Sequence, residues 1–338
     1  MPNFIFSEAS GLNKTIYGES QAPIRAFLEK RAEAFEQEAI GPKLFKKSKS
    51  SNWAEKFSGM TAMEGPRVVG ENGKLPVDGY QVGYEKLIEH QVWKDSFAIT
   101  REMIDDAKLN PGKLFAKPQA FLTAHYRTME KFAAAMFAGA IQGNTTIKFA
   151  DGNFDLTCND GGKFFATEHP SITNKSLKQS NCFAAALTAD ALDQIEVAMH
   201  HFKDDNGNLV AVAPDTIIIP DTHAARDAAF AAVGAEKLPY GSSQEKWNMQ
   251  FGRWNIIVWP YLSQALGMNS AAYILMDSKY CADYDVAVWL DRVTLEIESR
   301  RDPTTKANVW DSYCRFGAGF VDWRGMAVGG VSSGTSLT

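Results

Sequence analysis

Cysteine is scarce in this chain. Its 338 residues hold four, Cys158, Cys182, Cys281 and Cys314, and no two stand in C-x-x-C spacing. That pattern offers neither a zinc site nor a redox couple, and it leads us to expect free thiols in a reducing compartment. Long apolar runs are missing too: no stretch approaches the ~18 unbroken apolar residues of a membrane span. The opening, MPNFIFSEAS, lacks the basic and apolar regions of a signal peptide, so synthesis in a cytoplasm is expected. Positive charge is not in excess either. Lys and Arg number 35 against 40 Asp and Glu, a net charge of −5. This argues against dominant binding to nucleic acid or an anionic membrane, while leaving room for a local basic patch. What is present, 45% hydrophobic and 22% charged residues, suits a soluble globular protein long enough for two ordinary domains.

Catalytic motifs are lacking as well. There is no Walker loop, and Gly317-x-Gly319 meets Asp322 where a dinucleotide fingerprint needs its third glycine. Gly330-Val331-Ser332-Ser333-Gly334 spells the nucleophile elbow of α/β-hydrolases. That elbow needs a strand before it and a helix after it, and the terminal tail promises neither. His200 and His201 are adjacent on an expected helix and point ~100° apart, which is wrong for shared metal ligation. His125 reads as a core or interface histidine, and His169 as a loop residue. Aligning Asp204-Asp205-Asn206-Gly207 as a calcium loop puts Phe202 and Ala213 where carboxylates belong. The expectation is a protein with no catalytic, cofactor or metal site.

The chain is organised around Lys117 to Gly143. Apolar residues return there at Leu122, Tyr126, Met129, Ala133, Phe137 and Ile141, the spacing of one helix face. Pro118 suits the first turn and Gly143-Asn144 a stop, predicting a spine helix over 118–142. Before it, residues 1–50 read as an arm ending in Lys43, Lys46, Lys47 and Lys49. Such a run is usually a solvated face, with an acidic partner as the alternative. Two extended runs, Phe57 to Val69 and Gly79 to Ile99, flank a tip rich in Gly, Asn and Pro and predict a long hairpin. Thr100 to Lys108 reads as a short helix. After the spine come an Asn/Gly-rich loop to Gly162 and a helix over 188–203. Strands at 216–219, 255–259 and 272–276 follow, with a helix from Thr222 closed by Gly234. A second long hairpin, Val293 to Ser299 with Asn308 to Phe320, precedes a Gly/Ser/Thr tail expected to be flexible.

This order of parts resembles the major capsid proteins of tailed phages, which share the Hong-Kong-ninety-seven shell fold. The junction WKDSFAITREMIDDA, Trp93 to Ala107, looks like that family's passage from extended loop to peripheral domain. GGKFFATEHPS, Gly161 to Ser171, and Ser180-Asn181 are similar to the Mu-like branch. PDTIIIP, Pro214 to Pro220, is similar to the start of the axial domain. The resemblance implies an α+β capsid fold with a 1–50 arm and a 51–99 extended loop. It further implies a peripheral domain over 100–203 and 288–320, an axial domain over 204–287 and 321–330, and a tail at 331–338. The implied function is structural: hexamers and pentamers closing into an icosahedral shell around double-stranded DNA. A separate scaffolding protein and a portal are the implied partners. Assembly contacts are expected at Lys43, Lys46, Lys47 and Lys49, and at Asn72, Lys74 and Tyr80 around the first hairpin tip. Lys74 could correspond to the lysine that some relatives cross-link, but no motif for its partner is present. An encapsulin-type compartment shell on the same fold is the alternative reading, and an α/β hydrolase a remote one.

Overall fold

The computed structural model describes residues 4–6, 35, 38–60, 66, 68–69, 71, 73–74, 77, 82–100, 102, 112–240, 244–268, 270–305 and 307–337. In chain order its strands are β1 (Phe4–Phe6), β2 (Lys46–Lys49), β3 (Ala54–Met60), β4 (Val82–Glu89), β5 (Gln91–Ile99), β6 (Thr146–Phe149), β7 (Gly152–Asp155), β8 (His169–Pro170), β9 (Lys178–Gln179), β10 (Thr216–Pro220), β11 (Lys237–Tyr240), β12 (Gln244–Trp247), β13 (Asn255–Trp259), β14 (Tyr273–Met276), β15 (Ala287–Arg301), β16 (Asn308–Phe320) and β17 (Met326–Gly329). The helices are α1 (Gly112–Ile141), α2 (Ala189–His200), α3 (His223–Val233), α4 (Pro260–Leu266) and α5 (Ser278–Asp283). The chain divides into two compact units. One comprises Met1–Glu55, Glu89–Ala133 and Trp289–Ala318; the other comprises Lys56–Ile88, Ala134–Val288 and Gly319–Thr338. The expected peripheral-to-axial boundary near residue 203 therefore falls inside the second unit.

The first unit is built on a sheet ordered β1-β15-β16-β5, with β2 also paired to β15. In β16 the residues from Asn308 to Phe316 alternate between buried and partly exposed, the period-2 signature of one covered face. Trp310, Cys314 and Phe316 point inward and meet the spine and the neighbouring strands. Phe316 stacks on Trp93 at 4.7 Å and on Trp289 at 4.8 Å, while Phe132 of α1 sits 5.5 Å from Trp93 and 5.8 Å from Trp289. Each such aromatic contributes about 1.5–3 kcal/mol by leaving water. The expected run Gly79 to Ile99 is two strands, not one: β4 pairs with β3, whereas β5 joins this sheet against β16. His90 lies at the break, its Nδ1 2.9 Å from the carbonyl oxygen of Trp53. The expected helix at Thr100 to Lys108 lies outside the described residues apart from Thr100 and Glu102.

In the second unit β13, β10, β14 and β17 form a four-stranded sheet. β10 runs parallel to β13 and antiparallel to β14, and β14 runs antiparallel to β17. All five residues of β10 are buried, as for a central strand covered on both faces. Thr188 and Thr222 cap α2 and α3 by accepting from the N–H groups of Ala191 and Ala225. The C-terminal part of α1 is buried almost all round: Phe137 edges onto Trp259 at 5.9 Å and Phe320 at 5.3 Å. Its end is a Schellman cap. Gly143 takes φ +73°, its N–H bonds Ala140 O, and the Asn144 N–H reaches Gly139 O.

Three expectations are corrected here. The spine begins six residues before Pro118, which therefore lies inside the helix and not in its first turn. The Asn/Gly-rich loop contains a hairpin, β6–β7, turned by Ala150 and Asp151 at φ +46° and +66°. The tail is docked: the Thr335 N–H bonds Cys182 O, the Ala184 N–H bonds Thr335 O, and the Val331 N–H bonds Phe183 O.

Candidate assembly surface and the buried polar lock

The four arm lysines belong to the first unit. Lys43 ends a 3-10 turn, Gly41–Lys43, with Pro42 at its centre, and Lys46, Lys47 and Lys49 lie on β2. This end of the arm is anchored. Leu44 and Phe45 are buried, and Phe45 packs edge-on against Trp289 at 5.8 Å. The Glu130 carboxylate of α1 accepts from the N–H groups of Ile40 at 2.7 Å and Gly41 at 3.0 Å, holding the start of the turn. β2 is an outermost strand on β15, and lysine on such a strand discourages indiscriminate edge pairing. Lys43, Lys47 and Lys49 are exposed; Lys46 is half-buried. Lys43 and Lys47 also rim a cavity of about 70 Å³ over His125, Tyr126 and Met129, with Asp291 and Leu295 opposite. Burial draws the His125 imidazole down to about 4, against a smaller opposing pull from Asp95, so the ring there is neutral at physiological pH.

Of the hairpin-tip residues, Lys74 is exposed and belongs to the second unit, while Asn72 and Tyr80 lie outside the described residues. The structure thus brings the four lysines onto one short stretch of the first unit.

The second unit contains a polar constellation that the sequence reading missed. His169 is not a surface loop residue; it is 1% exposed. Its Nδ1 lies 2.7 Å from Asp160 Oδ2, and its Nε2 lies 3.1 Å from Asn181 Oδ1. The Asn181 amide donates to the carbonyl oxygens of Phe164, Trp323 and Met326, and its Oδ1 accepts the Ala166 N–H. The amide is thereby oriented, and each imidazole nitrogen lies within hydrogen-bond distance of a side-chain oxygen. Burial opposes charge on Asp160, but the His169 hydrogen bond and charge, the Gly162 N–H and Arg324 outweigh it and hold the carboxyl below its ordinary value. The His169 ring stacks on Trp323 at 4.3 Å, and the Arg324 guanidinium lies 4.8 Å from the other partner of that stack, the Trp323 ring. Arg324 in turn donates to Lys203 O and Asp322. The signal in the sequence was Asp160, His169 and Asn181 within one loop-rich stretch, but spacing alone does not show convergence.

The Gly330–Gly334 elbow does follow a strand, β17, contrary to expectation. No helix follows it among the described residues, and the segment instead runs against Cys182 to Ala184. Among the described residues there is also no group of three or more His, Cys, Asp or Glu poised to hold a metal, and no helix long and apolar enough to cross a membrane.

A family model described as phage capsid protein matches residues 83–329, well over half the chain. The chain belongs to that family. It is a structural capsid protein of a bacteriophage virion, and its fold mixes α and β elements. Among solved structures it is similar to a chain of the capsid of an empty GTA particle, at 12% identity over 86% of this chain and 89% of that one, with a TM-score of 0.49. It is also similar to a chain of Mycobacterium phage Patience, at 10% identity over 94% and 89%, TM-score 0.49. A third likeness is to the capsid of bacteriophage JBD30, at 14% identity over 66% and 90%, TM-score 0.46. A search of curated proteins returns no significant match.

Proposed function

We propose that this chain is the repeating subunit of a phage head, forming hexamers and pentamers that close into an icosahedral shell around packaged double-stranded DNA. The match to the phage capsid protein family over residues 83–329 carries this reading. The net charge of −5 argues against contact with DNA dominated by phosphate binding. A separate scaffolding protein and a portal are the proposed partners, synthesis in the bacterial cytoplasm the proposed origin, and catalysis no part of the role. The arm lysines and the hairpin tip, with Asn72, Lys74 and Tyr80, are the proposed assembly contacts, and GGKFFATEHPS supports placement near the Mu-like branch. The test is electron microscopy of the purified protein, alone and co-expressed with a scaffolding partner. Closed shells or rings are expected. A monodisperse monomer at high concentration with scaffold present overturns the reading.

A further inference from the structure

The segment Trp247 to Phe251 is patterned inside out. Asn248 and Gln250 are 8% and 1% exposed, whereas the alternating Trp247, Met249 and Phe251 are 65%, 74% and 47% exposed. The segment is the turn that follows β12, closed by the Phe251 N–H on Asn248 O, and it keeps its amides in and its apolar side chains out.

The buried amides explain how this inversion is held. Asn248 donates through Nδ2 to Ala232 O and Ala235 O, both at 2.8 Å, and its own N–H bonds Glu236 O. Gln250 donates to Glu196 at 3.2 Å and to Asp193 at 3.3 Å on α2, and accepts from Trp254 Nε1 at 2.7 Å. Arg253 closes on Glu196 with both terminal nitrogens. The apolar groups therefore stand outward on a base held by these polar contacts. Asn248 also ties the segment to the C-terminal end of α3, where Phe230 is 66% exposed. Lys237, across β11–β12 from Trp247, holds its ammonium 5.5 Å from that ring.

We infer that Trp247, Met249, Phe251 and Phe230 form the apolar centre of a contact with a second copy of this chain. This rests on the proposed role as a self-assembling shell subunit and names the surface it would use. At these exposures the four side chains present apolar area on the order of 500 Å², the scale of the largest patch a monomer usually shows. A standard interface takes roughly 800 Å² from each partner, so the patch supplies more than half of one side. Trp, Phe and Met are also the residue types enriched at the centres of such contacts.

The experiment uses the intact wild-type chain before any variant. Met249 oxidation by hydrogen peroxide is followed by peptide mass spectrometry in dissociated subunits and in assembled particles, made with scaffold where needed. Oxidation severalfold slower in particles is expected. Separately, Met249→Asp and Trp247→Ser should leave the melting midpoint of the dissociated subunit unchanged and abolish closed particles. If a variant fails to fold, the wild-type oxidation decides. Equal oxidation in both states, or normal particles from the variants, overturns the inference and leaves the capsid reading intact. Protection that appears only when a protein of another sequence coats finished shells also overturns it, since the partner is then not this chain. A wild-type chain that never assembles overturns both readings together.

Discussion

Asp160 and His169 form a buried hydrogen-bonded pair, Oδ2 to Nδ1 at 2.7 Å, with side chains 2% and 1% exposed. It ties the turn at Asp160–Gly162 to β8, and through Asn181 it reaches the backbone just before β17. A polar pair this enclosed is weak evidence of net stability, but removing one partner leaves the other buried and short of a hydrogen bond.

His169→Ala should therefore destabilise the second unit by about 1–3 kcal/mol, the cost of leaving a buried polar group short of its partner. The pH dependence follows from Asp160. Its carboxyl lies below its ordinary value in the folded chain, so the unfolded chain binds the proton more readily. The stabilisation is present above the ordinary carboxylate value of about 3.9 and is lost as pH falls through the lower folded value. Melting temperatures measured from neutral pH into this acid range should fall, and Asp160→Asn should flatten that acid limb. An identical acid limb in Asp160→Asn would show that other carboxylates set it.

Gly317 has no room for a side chain. A Cβ there would meet the carbonyl oxygen of Glu89 at 2.5 Å and the Cα of His90 at 3.4 Å, both backbone atoms at the β4–β5 break. Gly317→Ala should cost at least the 1–3 kcal/mol typical of overpacking, read from urea unfolding. Gly161, at φ +74° with nothing within 4 Å of a Cβ, is the control. Alanine there should cost only the ~1 kcal/mol of left-handed backbone.

Glu130→Ala should loosen the arm without unfolding the sheet. It strips the N–H groups of Ile40 and Gly41 of their acceptor, worth about 1.5–3 kcal/mol for bonds to a charged group. Limited trypsin digestion should cut faster at Lys43 to Lys49. An unchanged cleavage rate would place the hold on the arm in Leu44 and Phe45 alone.

Changing Lys43, Lys46, Lys47 and Lys49 together to Gln should leave the subunit folded and make assembly less sensitive to salt, since exposed charges are screened over ~8–10 Å. Light scattering during assembly across a salt series checks this. The same salt dependence in the quadruple variant would reduce the lysines to guards of a sheet edge.

The sequence by itself determined the elements whose signals are local and periodic. The spine's three-and-four spacing, the helix starts near Thr188 and Thr222, the Gly143-Asn144 stop and the return strand Asn308 to Phe320 depend on neighbours within a turn or along one strand. Tertiary structure decided what depends on distant partners. Pro118 is tolerated inside α1, whose start the proline's turn preference misplaced. The β6–β7 turn uses Ala150 and Asp151 in place of an Asn-Gly signature, because Ile147 pairs with Phe154 and packs over Gly139. The tail is ordered by carbonyls of Cys182 and Phe183, some 150 residues away in the chain. His169 is buried and partnered only because Asp160, Asn181 and Trp323 converge on it. Periodicity reports which side of an element is apolar; burial of a lone polar group, or exposure of Trp247, is set by what the folded chain places against it.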